Sequence, residues 1–304
     1  MSRPYAVLDV FTRHALAGNP LAVVFEADGL SSETMQKLAR EFGLPETVFI
    51  LTPSRPNHTA KLRIFTPGRE LDFAGHPTVG AAAILASRRF GEVEKAMDAM
   101  IVVEENVGPV RCSVKLDPAG AAYAEFGVPR LAAPLSATFG ERGAVADALG
   151  LSPADIGFEN HRPSAWTCGA PFIFIPVAGL DAMARTKLAV ENWYHAFGTS
   201  DRVGAYLYTR ECVNHDSRFH ARMFAPEAGI PEDPATGAAA AAFAGVILSF
   251  DAPTDGLHHF RIEQGIEMGR PSLVDLTIEV EGGMLKAERI GGYAVMLAEG
   301  ELAI

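Results

Sequence analysis

Arg222-Met-Phe-Ala-Pro-Glu-Ala-Gly-Ile-Pro-Glu-Asp233-Pro-Ala-Thr-Gly237 runs directly into Ala238-Ala-Ala-Ala-Ala-Phe-Ala-Gly-Val-Ile-Leu248, and the reading of this stretch decides the fold. It predicts a strand, a Pro/Gly-rich loop ending in an acid, and a helix without a single charged side chain. A helix that is apolar on every side is buried on every side. Its N-terminus then carries free backbone N–H groups and a partial positive charge into the protein, just after residues 234–237. Such an end suits an anionic group such as a carboxylate. It is equally well described as ordinary helix capping by Thr and Gly.

The same arrangement occurs once more. Arg63-Ile-Phe65-Thr-Pro67 repeats the Arg-apolar-Phe-x-Pro pattern of Arg222-Met-Phe224-Ala-Pro226, and the separation, 63 to 222, is 159 residues in a chain of 304. Leu71-Asp-Phe-Ala-Gly75-His76-Pro77-Thr78 follows as a Gly/Pro turn, and residues 79–86 form a second wholly apolar helix. A unit of strand, turn and buried helix recurring at half-length predicts two lobes of one architecture. In a strand-rich lobe, a helix buried all round is best housed inside a curled sheet. The expected fold class is therefore α+β, with two similar lobes, each a barrel-like, mostly antiparallel sheet around a central buried helix. The expected lobes are residues 1–122 and 123–304, with the last strand able to pair back onto the first lobe.

Composition narrows the function. Hydrophobic content of 48% with 21% charged residues describes a globular protein rather than a disordered one. A formal net charge of -11 argues against nucleic acid and anionic membranes as partners, since both demand a positive footprint. The three cysteines (Cys112, Cys168, Cys212) are far apart and lack metal spacing, which favours free thiols and a reducing compartment. The N-terminal residues run straight into a strand pattern without a signal-peptide core, so the expected location is cytoplasmic. No Gly-x-Gly-x-x-Gly, Walker loop or nucleophile elbow occurs, so no nucleotide or organic cofactor is expected, and no metal site.

Three side chains stand out for chemistry. Glu46 opens the apolar run Val48-Phe49-Ile50; inside a closed cleft its carboxyl would favour the protonated form and alternate between acid and base, whereas beside Pro45 it also reads as a solvated strand end. His76 heads the first apolar helix and Asp233 precedes the second, as substrate contacts or as a loop histidine and a capping acid. Backbone donors are expected at Gly75-His76 and Thr236-Gly237.

Taken together, Asp9-Val-Phe-Thr12, Gly18-Asn-Pro-Leu-Ala-Val-Val24, Glu46-Thr-Val-Phe49, Phe73-Ala-Gly-His-Pro-Thr78, Glu232-Asp-Pro-Ala-Thr-Gly237, Gln264-Gly265, Gly269-Arg-Pro-Ser272 and Gly291-Gly292 resemble the phenazine biosynthesis PhzF-like family, which has the diaminopimelate epimerase fold. The resemblance runs nearly end to end. It implies a cofactor-independent isomerase acting on a small, cyclic carboxylate between the lobes, with Glu46 as the catalytic proton shuttle. It further implies that His76 and Asp233 contact substrate, that Gly75, Thr236 and Gly237 bind it at the helix ends, and that a homodimer forms. Two positions depart from the family pattern: Ala238 stands where a substrate-contacting serine is usual, and Pro45 where a serine precedes the glutamate. The alternatives are a binding protein that has lost catalysis, favoured by Ala238, and a two-cysteine epimerase, disfavoured by Ala74 and Pro234 at the loop positions that would carry the thiols.

Overall fold

In a computed structural model, residues 2–118, 120–137, 139–198 and 203–304 are described. The chain divides into two compact units, Met1–Pro129 with Ile290–Ile304, and Arg130–Arg289. The sequence reading drew its line at 122/123. In the structure, β8 belongs with the first unit because it pairs antiparallel with β7, where β7 is Gly108–Leu116 and β8 is Ala122–Gly127. Among the described residues no helix is long and apolar enough to cross a membrane.

The first unit begins with β1 (Ser2–Val10), β2 (Asn19–Val24), α1 (Ser32–Phe42), β3 (Glu46–Leu51), β4 (Ala60–Phe65) and β5 (Glu70–Leu71). Then come α2 (Gly75–Phe90), β6 (Met97–Glu105), β7 and β8. Helix α1 starts where the Ser31 side chain accepts the Thr34 N–H, and it stops at Gly43 in the left-handed conformation. Strand β7 alternates strictly, with Val110, Cys112, Val114 and Leu116 turned inward.

The pairings β1–β2–β3–β4–β6–β7–β8 are closed by the last strand of the chain, β17 (Met284–Ala303), which pairs with both β8 and β1. The result is a closed eight-strand barrel, antiparallel except at β2–β3 and β4–β6. Helix α2 lies against β1, β2, β3, β6, β7 and β8 and is buried from Gly75 to Ile84. Small residues make this possible. A Cβ on Gly80 would stand 2.5 Å from Leu21 Cδ2 and 2.8 Å from Val10 Cγ2.

The second unit contains β9 (Ala133–Pro134), α3 (Arg142–Leu149), β10 (Ser164–Thr167), β11 (Pro171–Pro176), α4 (Leu180–Arg185) and α5 (Val190–Phe197). It continues through β12 (Gly204–Thr209), β13 (Phe219–Ala225), β14 (Ile230–Asp233), α6 (Gly237–Phe250), β15 (Gly256–Gln264) and β16 (Ser272–Glu281). The order β10–β11–β12–β13–β15–β16 repeats that of the first unit, with parallel pairs again at the second and fourth steps, β11–β12 and β13–β15. Helix α6 is buried from Ala239 to Ile247, with Phe243 against the rings of Phe174, Tyr208 and Phe219. Gly245 admits the Trp166 ring, which a Cβ would meet at 2.2 Å.

The 159-residue repeat is accurate to the residue in its strands. Ala60 and Lys61 pair with Val103 and Glu104, as Phe219 and His220 pair with Ile262 and Glu263. Glu104 accepts the N–H groups of Ser54 and Arg55, and Glu263 those of Val213 and Asn214, at 2.6–3.0 Å. The two arginines of the sequence motif also share a role. Arg63 grips Glu70 with two hydrogen bonds and Arg222 grips Glu232 with two, each tying the strand to the short hairpin strand before the buried helix.

Candidate functional site

Helix α2 begins at Gly75, four residues before the expected start, because Gly75-His76-Pro77-Thr78 is its first turn rather than a preceding loop. Proline is tolerated there, since a first-turn N–H has no intrahelical partner to lose. The N-cap residue Ala74 is extended and makes no side-chain cap bond. Helix α6 likewise starts at Gly237 after Thr236, with no side-chain cap bond and no acid in its first turn. Both buried helices therefore present their leading N–H groups without a side-chain cap, in contrast to α1.

Glu46 is the first residue of β3, set opposite Leu21 in the parallel β2–β3 pair. Its side chain is 14% exposed, and its Oε2 lies 3.3 Å from Nε2 of His76, whose side chain is 5% exposed. Burial pulls the His76 imidazole down to about 3, against a hydrogen bond to the Pro20 backbone carbonyl that acts in the opposite direction. The ring is therefore neutral near pH 7. Because Nε2 makes no hydrogen bond of its own, Nδ1 is the nitrogen that donates to Pro20. That assigns the tautomer and leaves a lone pair on Nε2 directed at the Glu46 carboxyl.

In the second unit Asp233 ends β14 and is buried to 7% exposure. The Thr236 hydroxyl donates to Asp233 Oδ2. Gln264, fully buried at the end of β15, donates to the Asp233 carbonyl at 2.7 Å and to Thr236 Oγ1 at 3.1 Å, and accepts the Thr236 N–H at 3.2 Å. Gly265 follows with a φ of +76°, and a Cβ there would lie 2.6 Å from the Pro234 carbonyl oxygen. Only glycine allows this approach without displacing the loop. Ala238 is half-buried, whereas the residues from Ala239 to Ile247 behind it are buried.

The expected residues thus fall into two clusters, Glu46 with Gly75 and His76 in the first unit, and Asp233 with Thr236, Gly237 and Ala238 in the second. Sequence reasoning missed the supports. Pro20 was visible only as part of a Gly-Asn-Pro turn, and Gln264 only as part of a motif. Glu105 at the end of β6 carried no signal, although it is 7% exposed and accepts the Thr78 hydroxyl at 2.7 Å. The free thiols are not activated: burial pushes Cys168 and Cys212 up to about 12 and Cys112 higher still. That leaves no thiolate for a two-cysteine mechanism.

A closed barrel around a buried helix, with a carboxyl and an imidazole at the helix head, is the class that fold and site define. Residues 8–300 match the model of the phenazine biosynthesis-like protein family, and the chain belongs to that family. It is 50% identical to an uncharacterized isomerase of Mesorhizobium japonicum, over 100% of this chain and 99% of the relative. It is 30% identical to the trans-2,3-dihydro-3-hydroxyanthranilate isomerase of Pseudomonas chlororaphis, over 99% of each. Among solved structures, the Bacillus anthracis phenazine biosynthesis protein of the PhzF family is similar with a TM-score of 0.87 at 27% identity, covering 100% of both chains. The chain is an isomerase of this family's type.

Proposed function

We propose that this isomerase moves a proton between two carbons of a small, cyclic carboxylate, with Glu46 as its single acid/base. The observation that carries the reading is the 3.3 Å approach of Glu46 Oε2 to a neutral His76 whose other nitrogen is committed to Pro20. A neutral His76 offers the Glu46 carboxyl no charge partner, and a largely buried carboxyl so placed favours its acid form. Glu46 then delivers its proton to one carbon and takes a proton from another. The substrate leaves with a shifted double bond, and the enzyme ends as it began. His76 holds the carboxyl in place and stays neutral throughout.

Gly75, His76, Asp233, Thr236, Gly237 and Ala238 bind the substrate in this proposal. Uncapped N–H groups at the two helix heads suit a carboxylate, and a relative with a cyclic carboxylate in its name supports that substrate class. Proton transfer of this kind contributes about 10²–10⁴-fold in rate.

Purified protein is incubated with a panel of cyclic unsaturated carboxylates and nothing else. The expected product has the mass of its substrate and a different proton NMR spectrum. Tight binding of panel members without any conversion supports the reading of a binding protein that has lost catalysis, for which Ala238 is the specific argument.

A further inference from the structure

We propose that Glu105 is a positioning residue for the head of α2, holding Ala74, and through it Gly75 and His76, by way of the Thr78 hydroxyl. The role rests on the proposed function only in treating that head as the site. The repeat brings Glu105 forward. Strands β6 and β15 have nine residues each, and the parallel register that aligns Val103 with Ile262 and Glu104 with Glu263 aligns Glu105 with Gln264. Gln264 fastens the loop before α6, through the Asp233 carbonyl and the N–H and hydroxyl of Thr236.

Glu105 does the corresponding work with different atoms. Its Oε1 lies 2.7 Å from Thr78 Oγ1, which lies 2.7 Å from the Ala74 carbonyl oxygen. A hydroxyl has one proton to give. Two acceptors therefore share that one proton: a neutral Glu105 leaves it to the Ala74 carbonyl, and an ionised Glu105 draws it to Oε1. Glu105 Oε2 is buried with no hydrogen-bond partner, an environment that suits a neutral acid and penalises a carboxylate. Burial pushes this carboxyl up to about 8, with the Thr78 contact acting the other way. The groups facing it are Thr78 on α2 and the Cys112 thiol on β7, which Glu105 pushes up further; its neighbour Asn106 is bonded to Asp72. Among the described residues no ion pair to Glu105 is formed. Ionisation of Glu105 therefore draws the Thr78 proton away from the Ala74 carbonyl.

The test uses the whole chain without substrate. Carbon-13 NMR of Glu-labelled protein, assigned with Glu105→Gln, should show the Glu105 carboxyl titrating near pH 8. The nitrogen-15 resonance of His76 Nε2 should step at the same pH in wild type, lose that step in Glu105→Gln, and shift at all pH values in Glu105→Ala and Thr78→Val. A Glu105 carboxyl that titrates in the usual carboxylate range overturns the role, even if the alanine variant fails to fold. So does a His76 resonance in Thr78→Val identical to that of wild type. Because no turnover is read, these failures leave the Glu46 reaction standing, and loss of the reaction leaves these resonances interpretable.

Discussion

The heads of α2 and α6 are built on the same frame and furnished for different work. In both units an Arg–Glu pair secures the hairpin before the helix, a Glu at the strand end collects two loop N–H groups, and a small-residue helix fills the sheet. At the heads the correspondence stops. The first unit presents a buried imidazole held neutral and a carboxyl 3.3 Å from it. The second presents an aspartate held by a threonine hydroxyl, on a loop clamped by a glutamine, a fixed acceptor with little freedom. The difference teaches that a duplicated scaffold can repeat a helix and its supports while the side chains at the two helix heads diverge.

The largest expected effect separates the two heads. Glu46→Gln should lower kcat by about 10²–10⁴-fold, the range that general acid–base catalysis contributes, with an unchanged thermal unfolding midpoint. A variant within threefold of wild type would dismantle the assignment of proton chemistry to the first head.

Next comes a stability contrast between equivalent arginines. Arg222 is 7% exposed and also donates to the Met183 and Thr186 carbonyls, whereas Arg63 lies nearer the surface. Removing one partner of a buried pair costs about 3–5 kcal/mol, and less where the pair is half-buried and solvent screens it, as at Arg63–Glu70. Denaturant unfolding should therefore find Arg222→Met far more damaging than Arg63→Met. Equal losses would mean that the two frames are loaded alike.

A third contrast is in pH. Burial works to raise Glu263, but His220 and the Val213 and Asn214 N–H groups outweigh it and hold the carboxyl down at about 2. Since the folded value lies below the unfolded one of about 4.3, this group's stabilisation is full above that value and is lost as pH falls toward 2. Glu263→Gln should flatten that part of the acid-stability curve; an unaltered acid limb would remove Glu263 from the account.

The smallest effect expected is at Ala238. A hydroxyl restored at this half-buried position offers one hydrogen bond of about 1 kcal/mol, so Ala238→Ser should change KM by about fivefold and leave the fold untouched. A change in kcat alone would assign the position to the chemical step instead.

Much of this frame is legible in the chain itself. The Arg-x-Phe-x-Pro pattern and the two alanine-rich runs give the duplication and the buried helices, because a helix with no polar face has only one kind of place to go. Strand pairing is less accessible. The sequence allows the last strand to pair back onto the first lobe, but the partners of β17 there, β1 and β8, depend on tertiary pairing that alternation in residues 284–303 does not encode. The start of α2 was hidden because Gly-His-Pro-Thr carries turn residues that also fit a first helical turn. Glu105 and Gln264 were invisible as partners because their equivalence follows from the parallel register of β4–β6 and β13–β15, not from any shared local pattern.

The most direct test of proton chemistry at the first head and recognition at the second is deuterium incorporation in heavy water, compared among wild type, Glu46→Gln and Asp233→Asn. Wild type should place solvent deuterium on the product carbon. Asp233→Asn should place it on the same carbon with a raised KM, and Glu46→Gln should place none. Label appearing with Glu46→Gln at the wild-type rate, or lost with Asp233→Asn at saturating substrate, would contradict that division.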